Sequence, residues 1–69
     1  MQALTQREYE IARLVATGNS NKRIADRLDI SEQTVKNHIQ SIFRKLALSN
    51  RVELTIRITR RGSHLRAAS

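Results

Sequence analysis

Apolar residues recur at helical intervals in three stretches of this chain, and in a fourth the interval is ambiguous. Between Leu4 and Thr17, Ile11, Leu14 and Val15 mark one inward face. Thr5 followed by Glu8 is a capping box, in which each side chain bonds the other residue's backbone N–H. Leu4 and Tyr9 are spaced for a hydrophobic staple across it, so Tyr9 is read as a packing residue rather than a stacking one. Gly18 is the natural left-handed stop. A second helix starts at Ser20 and runs to about Leu28, with Ile24, Ala25 and Leu28 facing in. Its third position is Arg23, which cannot return the bond of a capping box and sits at the positive end of the helix dipole. Two accounts stand: a surface that tolerates Lys22 and Arg23 there, or an external anion that they face.

The third stretch, Ser31 to Leu46, is the one around which the others are organised. Ser31 is an N-cap residue, and no Gly or Pro follows it inside the stretch. Val35, Ile39, Ile42 and Leu46 form one buried stripe. Gln33, Lys36, Asn37, Gln40 and Arg44 recur on the opposite side, and none is acidic. Side chains of these types pair with guanine and adenine edges or with phosphates, which suits the helix to a major groove. Taken alone, the pattern fits a solvated polar face equally well. The preceding turn shifts the balance. Leu28-Asp29-Ile30-Ser31 has room only for a tight reversal, Asp29 tolerates left-handed geometry, and Ala25 lets two backbones approach. Helices of about nine and fifteen residues joined by a turn of three to four make a helix-turn-helix. Ordinary helical hairpins lack the basic, amide-rich second helix.

The fourth stretch, Asn50 to Arg61, carries two conflicting signals. Val52, Leu54, Ile56 and Ile58 alternate with Glu53, Thr55 and Arg57, as in a half-buried strand. A lone strand would leave its ladder unpaired, and Asn50 with Glu53 is an N-cap followed by an acid. The spacing therefore predicts a helix with two apolar sides: Val52 and Ile56 on one, Leu54 and Ile58 nearly opposite. One side closes the core and the other faces out, where an apolar stripe calls for a partner. Leu54 and Ile58 are slightly favoured as the shared pair, Val52 and Ile56 being the alternative. The chain thus divides into a flexible leader (1–3), an all-α four-helix domain (4–61) and a frayed tail (62–69).

Composition narrows the partners. Thirteen Lys and Arg against six Asp and Glu give a net charge of +7 on 69 residues, with a pI near 11.4. So strong a field on so small a body points to a polyanion. An anionic membrane would favour one long cationic helix with aromatics on its apolar side, yet Tyr9 and Phe43 are the only aromatics. No membrane span or signal peptide is visible, and the absence of Cys fits a reducing cytosol. His38, at the margin of the buried stripe, is read as packed and hydrogen-bonded rather than metal-binding or catalytic. His64 stands alone in the tail. No nucleophile-and-base arrangement or phosphate loop points to an enzyme, and no cofactor is expected.

The motifs LTQRE at 4–8, SNKRIA at 20–25, ISEQTVKNHIQSIFRKL at 30–46 and NRVE at 50–53 together are highly specific. Over Leu4 to about Ile58 the sequence resembles the LuxR/NarL-type (GerE-like) helix-turn-helix domain of bacterial transcription regulators. The resemblance implies four helices, the third in the major groove of double-stranded DNA and the fourth used for dimerisation. Such domains are usually the C-terminal output of response regulators or autoinducer receptors, and a few stand alone at this length. Carried over by position, Lys36, Asn37 and Gln40 fall where the family contacts bases, with Gln33 beside them. Lys22, Ser31, Thr34 and Lys45 fall where it touches the backbone, with Asn21 and Arg44 added as phosphate contacts. The homodimer contact would use Leu54, Ile58, Val52, Ile56 and Arg57. An upstream receiver or ligand-sensing domain and RNA polymerase are further candidate partners, and the bacterial cytoplasm, at the nucleoid, is the expected location.

The sequence departs from the family pattern at Arg23, usually an acid. It departs again at Ala47, often Gly, where the chain reversal is expected to differ in detail, and at Leu54, bulkier than the usual residue. Two competing readings are a sigma-factor region 4 domain, which the TVKNHIQ core argues against, and a heterodimerising antagonist without DNA binding. The second would have lost the basic face, which is intact here.

Overall fold

Each helix begins on a side chain that accepts a bond from the helix's own free N–H groups. In this computed structural model Thr5 Oγ1 accepts the Glu8 N–H at 3.1 Å and Glu8 Oε1 accepts the Thr5 N–H at 2.9 Å. The capping box before α1 (Gln6–Ala16) is therefore complete. Ser20 caps α2 (Asn21–Leu28) through the Arg23 N–H, with no acid in the first turn. Ser31 caps α3 (Glu32–Leu46) through the Thr34 N–H. Asn50 Oδ1 takes the Glu53 N–H at the start of α4 (Arg51–Ala68), and the Glu53 carboxylate accepts from Ser49 N–H. The cap thus prevails over the alternation of Val52, Leu54, Ile56 and Ile58. The structure describes residues 3–60 with their side chains and, of α4 beyond them, its bounds alone. α4 extends to Ala68, through most of the tail expected as frayed at 62–69, while Ser69 and most of the leader lie outside the described residues.

The three chain reversals share one hydrogen-bond pattern. After α1, Gly18 N–H bonds Val15 O and Asn19 N–H bonds Leu14 O, both at 3.1 Å. After α2, Asp29 N–H bonds Asp26 O at 3.4 Å and Ile30 N–H bonds Ala25 O at 3.0 Å. After α3, Ala47 N–H bonds Arg44 O at 3.4 Å and Leu48 N–H bonds Phe43 O at 2.9 Å. Each is a Schellman closure around one left-handed residue, at φ 91° for Gly18, 58° for Asp29 and 56° for Ala47. The reversal expected to differ at Ala47 keeps the same geometry, with an alanine held where glycine is favoured. Ile30 and Leu48, the residues after the second and third closures, pack on the core.

That core draws on all four helices: Ile11, Ala12 and Val15; Ile24 and Ala25; Val35, Ile39 and Ile42; and Leu54. Packing runs from α1 to each of the other helices and from α2 to α3. Leu4 joins from the edge, whereas Tyr9 keeps 39% of its surface exposed. The two sides of α4 resolve in the opposite sense to the favoured expectation. Leu54 is wholly buried and Ile58 packs against the core, while Val52 and Ile56 are 66% and 49% exposed. The bulk of Leu54 is taken up in the space against α1, so it has no surface left to share. An Asp at Leu54 would therefore unfold the domain rather than separate two copies.

One buried charge joins this framework. Glu8, 4% exposed, accepts Ser41 Oγ at 2.8 Å through Oε2 and Lys45 Nζ at 2.7 Å through Oε1. The bond from Lys45, then that from the Thr5 N–H, and then Ser41 and the Lys45 charge hold its carboxyl down at about 2, against an opposing effect of burial. A carboxyl held low stabilises the fold fully above its unfolded value, and that contribution fades as pH falls toward 2. Glu8→Gln is expected to lose about 1–3 kcal/mol at neutral pH in urea unfolding. Its stability should also vary less than the wild type's between about pH 5 and about pH 2. Ala47→Gly is expected to raise stability by about 1 kcal/mol, measured the same way, by relieving the left-handed alanine.

Candidate nucleic-acid interface

Turning Val35, Ile39 and Ile42 into the core leaves Gln33, Lys36, Asn37, Gln40 and Arg44 exposed on the far side of α3. No acid follows Glu32 on this helix. Gln33 Nε2 donates to Asn37 Oδ1 at 3.1 Å, so the Asn37 amide nitrogen is the end left to donate outward. The five side chains thus offer a face rich in donors. At its N-terminal edge Ser31 Oγ lies 2.8 Å from Thr34 Oγ1, which keeps both hydroxyls together beside the turn.

A second group of predicted residues sits at the start of α2. Lys22 and Arg23 are exposed, and Asn21 is half-buried. Arg51, from the first turn of α4, reaches across to them. Its Nη1 donates to Asn21 Oδ1 at 2.7 Å and its Nη2 to the Asn19 carbonyl at 2.8 Å. Ser20, Asn21, Lys22, Glu32 and Arg51 line an open notch at this corner. At the positive end of α2 and on the amide-rich face of α3, donors and cations therefore lie together.

Lys45, expected as a phosphate contact, is engaged within the fold. Its ammonium is bound to Glu8 and its side chain is 22% exposed, so its charge is balanced within the fold. Arg44, one residue earlier, stays exposed. Sequence reasoning missed Arg51 and Ser41 altogether, and missed the second use of Glu8. The only signal was Glu8 itself, an acid already assigned to a cap; nothing in a single sequence pairs it with a residue in α3. His38 is half-buried, and among the described residues no group of His, Cys, Asp or Glu is placed to hold a metal ion. No helix among the described residues is long and apolar enough to cross a membrane.

Comparison with known proteins places the chain beside bacterial regulators. Residues 2–58 match the family model described as bacterial regulatory proteins, luxR family. The chain is 50% identical over 56 residues to a nitrate/nitrite response regulator protein homolog of Haemophilus influenzae, covering 81% of this chain and 27% of that protein. It is 53% identical over 53 residues to the nitrate/nitrite response regulator protein NarP of Escherichia coli, covering 77% and 25%. A putative HTH-type transcriptional regulator of Mycobacterium bovis is 46% identical over 61 residues, covering 88% and 7%. The chain thus spans about a quarter or less of the length of these relatives.

The two groups of residues should behave differently when removed. Lys36→Ala or Gln40→Ala is expected to lose about 1–3 kcal/mol on a preferred duplex and to relax the base preference at one position. Lys22→Ala should weaken every duplex alike, because phosphates carry no base identity. Competition binding against a selected and a scrambled duplex separates the two patterns.

Proposed function

The chain belongs to the luxR family of bacterial regulatory proteins, and we propose that it reads double-stranded DNA for a transcription regulator by seating α3 in the major groove. The observation that carries this reading is the exposed face of Gln33, Lys36, Asn37, Gln40 and Arg44, free of acids and backed by a buried stripe. Lys36, Asn37, Gln40 and Gln33 are the base-reading set. Ser31, Thr34, Lys22, Asn21 and Arg44 hold phosphates on either side and fix the register. The net charge of +7 favours this partner and makes binding dependent on salt.

Dimerisation belongs to the same proposal. The exposed apolar pair Val52 and Ile56, with exposed Arg57 beside it, is the surface of α4 left for a second copy. A two-fold pair of such domains fits inverted half-sites about 10 bp apart, centre to centre. One short helix face is a small interface, so a monomer in dilute solution becomes a dimer on DNA. A receiver or ligand-sensing domain attached to this chain would tip that balance and supply the signal. RNA polymerase is the partner through which a bound dimer would act, in the bacterial cytoplasm.

Titrating binding against salt tests the first half. Log affinity should fall with log salt at a slope of roughly −0.9 per phosphate contacted, and a flat profile would exclude the groove reading. Val52→Asp and Ile56→Asp test the second half. Each should abolish cooperative occupancy of paired half-sites while leaving circular dichroism and single-site binding unchanged. Cooperative binding that survives both substitutions removes α4 as the dimer contact.

A further inference from the structure

The contact between Arg51 and Asn21 joins two elements that the proposed function uses separately. Asn21 is the first residue of α2, in the notch with Ser20 and Lys22; Arg51 opens α4 on the other side. A guanidinium has only donors, so the atom it holds in Asn21 must be the carbonyl oxygen, as the 2.7 Å Nη1–Oδ1 distance records. The amide nitrogen then points away from Arg51. A second bond, from Nη2 to the Asn19 carbonyl at 2.8 Å, fixes the guanidinium plane on the loop that leads into α2. Asn19 is fastened in turn, its own N–H and its Nδ2 both bonding Leu14 O.

We propose that Arg51 is a positioning residue for DNA binding: it holds the Asn21 oxygen inward so that Asn21 meets the DNA backbone as a donor. This rests on the groove reading above and names a part that reading does not contain. Without the clamp the Asn21 amide is free to turn over. Its carbonyl would then face a phosphate, acceptor against acceptor, in half of its orientations. The unpaired first turn of α2 sharpens the requirement. Ser20 takes only the Arg23 N–H, no acid lies in that turn, and Lys22 is exposed, so a donor at Asn21 adds to the positive character of the turn. Glu32 is the one acid on the rim of the notch. It sits in the first turn of α3, where its charge complements that helix's own N-terminus. The clamp also makes the geometry at α2 depend on where α4 lies, because one end of the contact is in each helix.

Two sets of variants test this against a mixed-sequence duplex, with thermal unfolding measured alongside. Asn21→Ala should weaken binding about tenfold or more on every duplex, the effect of one lost hydrogen bond to a charged group, and Arg51→Ala about twofold, the effect of an amide left free in two orientations. The double variant should be no weaker than Asn21→Ala alone, because Arg51 acts only through Asn21. Asn21→Asp separates positioning from plain structural support. Asp keeps one oxygen on Arg51 and gains an ion pair and a favourable helix-dipole placement, so the thermal midpoint should rise. Its second oxygen turns a negative charge toward the phosphate, so binding should fall about tenfold or more. Additive losses in the Ala cycle, or an Asn21→Asp protein that binds as tightly as the wild type, overturn the proposal while the groove reading stands. A wild-type chain that binds no duplex overturns both.

Discussion

A single carboxylate, that of Glu8, ties the local order of α1 to the placement of α3. It completes the cap that starts α1 and accepts Ser41 and Lys45 from the helix that carries the reading face. Apolar contacts between two helices are non-directional and leave some freedom of roll, since ridges fit grooves with considerable scatter. Hydrogen bonds to fixed atoms do not. Binding Ser41 and Lys45, four residues apart on one face, sets which side of α3 is turned toward α1, and therefore which side is turned away. The price is a buried charge, offset here by three donors on its two oxygens.

The same contact changes how the charge of the chain should be understood. Thirteen cations and six acids suggest a surplus spread over the surface. Two of the acids, Glu8 and Glu53, are engaged at helix starts, and one cation, Lys45, is neutralised inside the fold. The exposed positive face of α3 follows from where the acids are held as much as from how many cations there are. Net charge governs the approach of a polyanion, whereas local placement governs how it docks.

Much of this was legible in the sequence because it is local. Caps at Thr5, Ser20, Ser31 and Asn50, the stop at Gly18, the left-handed Asp29 and the stripe of α3 all depend on residues a few positions apart. The exposed residues of α3 followed from the same period. What stayed hidden is pairwise and distant. The sequence pattern offered two apolar sides of α4 and slightly favoured Leu54 and Ile58 as the outward one, whereas the fold buries Leu54 and leaves Val52 and Ile56 exposed. Lys45 looked like any other cation of the third helix until Glu8 came within reach, and Arg51 looked like a surface residue beside a cap. Ala47 was legible as an oddity, but its outcome was not: the flanking Schellman bonds kept the geometry and left the strain in the residue.

The three matching reversals bear on the order in which the chain acquires its shape. Each closes within about six residues, so turns after α1, α2 and α3 need no distant partner and form on the timescale of helices themselves. The ends of the described chain meet only when α4 docks on α1, which requires closing a loop through nearly all of it. Contacts among the first three helices span shorter loops than the contact of α4 with α1, and Leu54 of α4 is wholly buried in the core. Without α4 docked, the part of α1 that α4 covers is open to solvent. The helix that completes the core is also the one with a second apolar face, so its arrival covers one sticky surface and presents another.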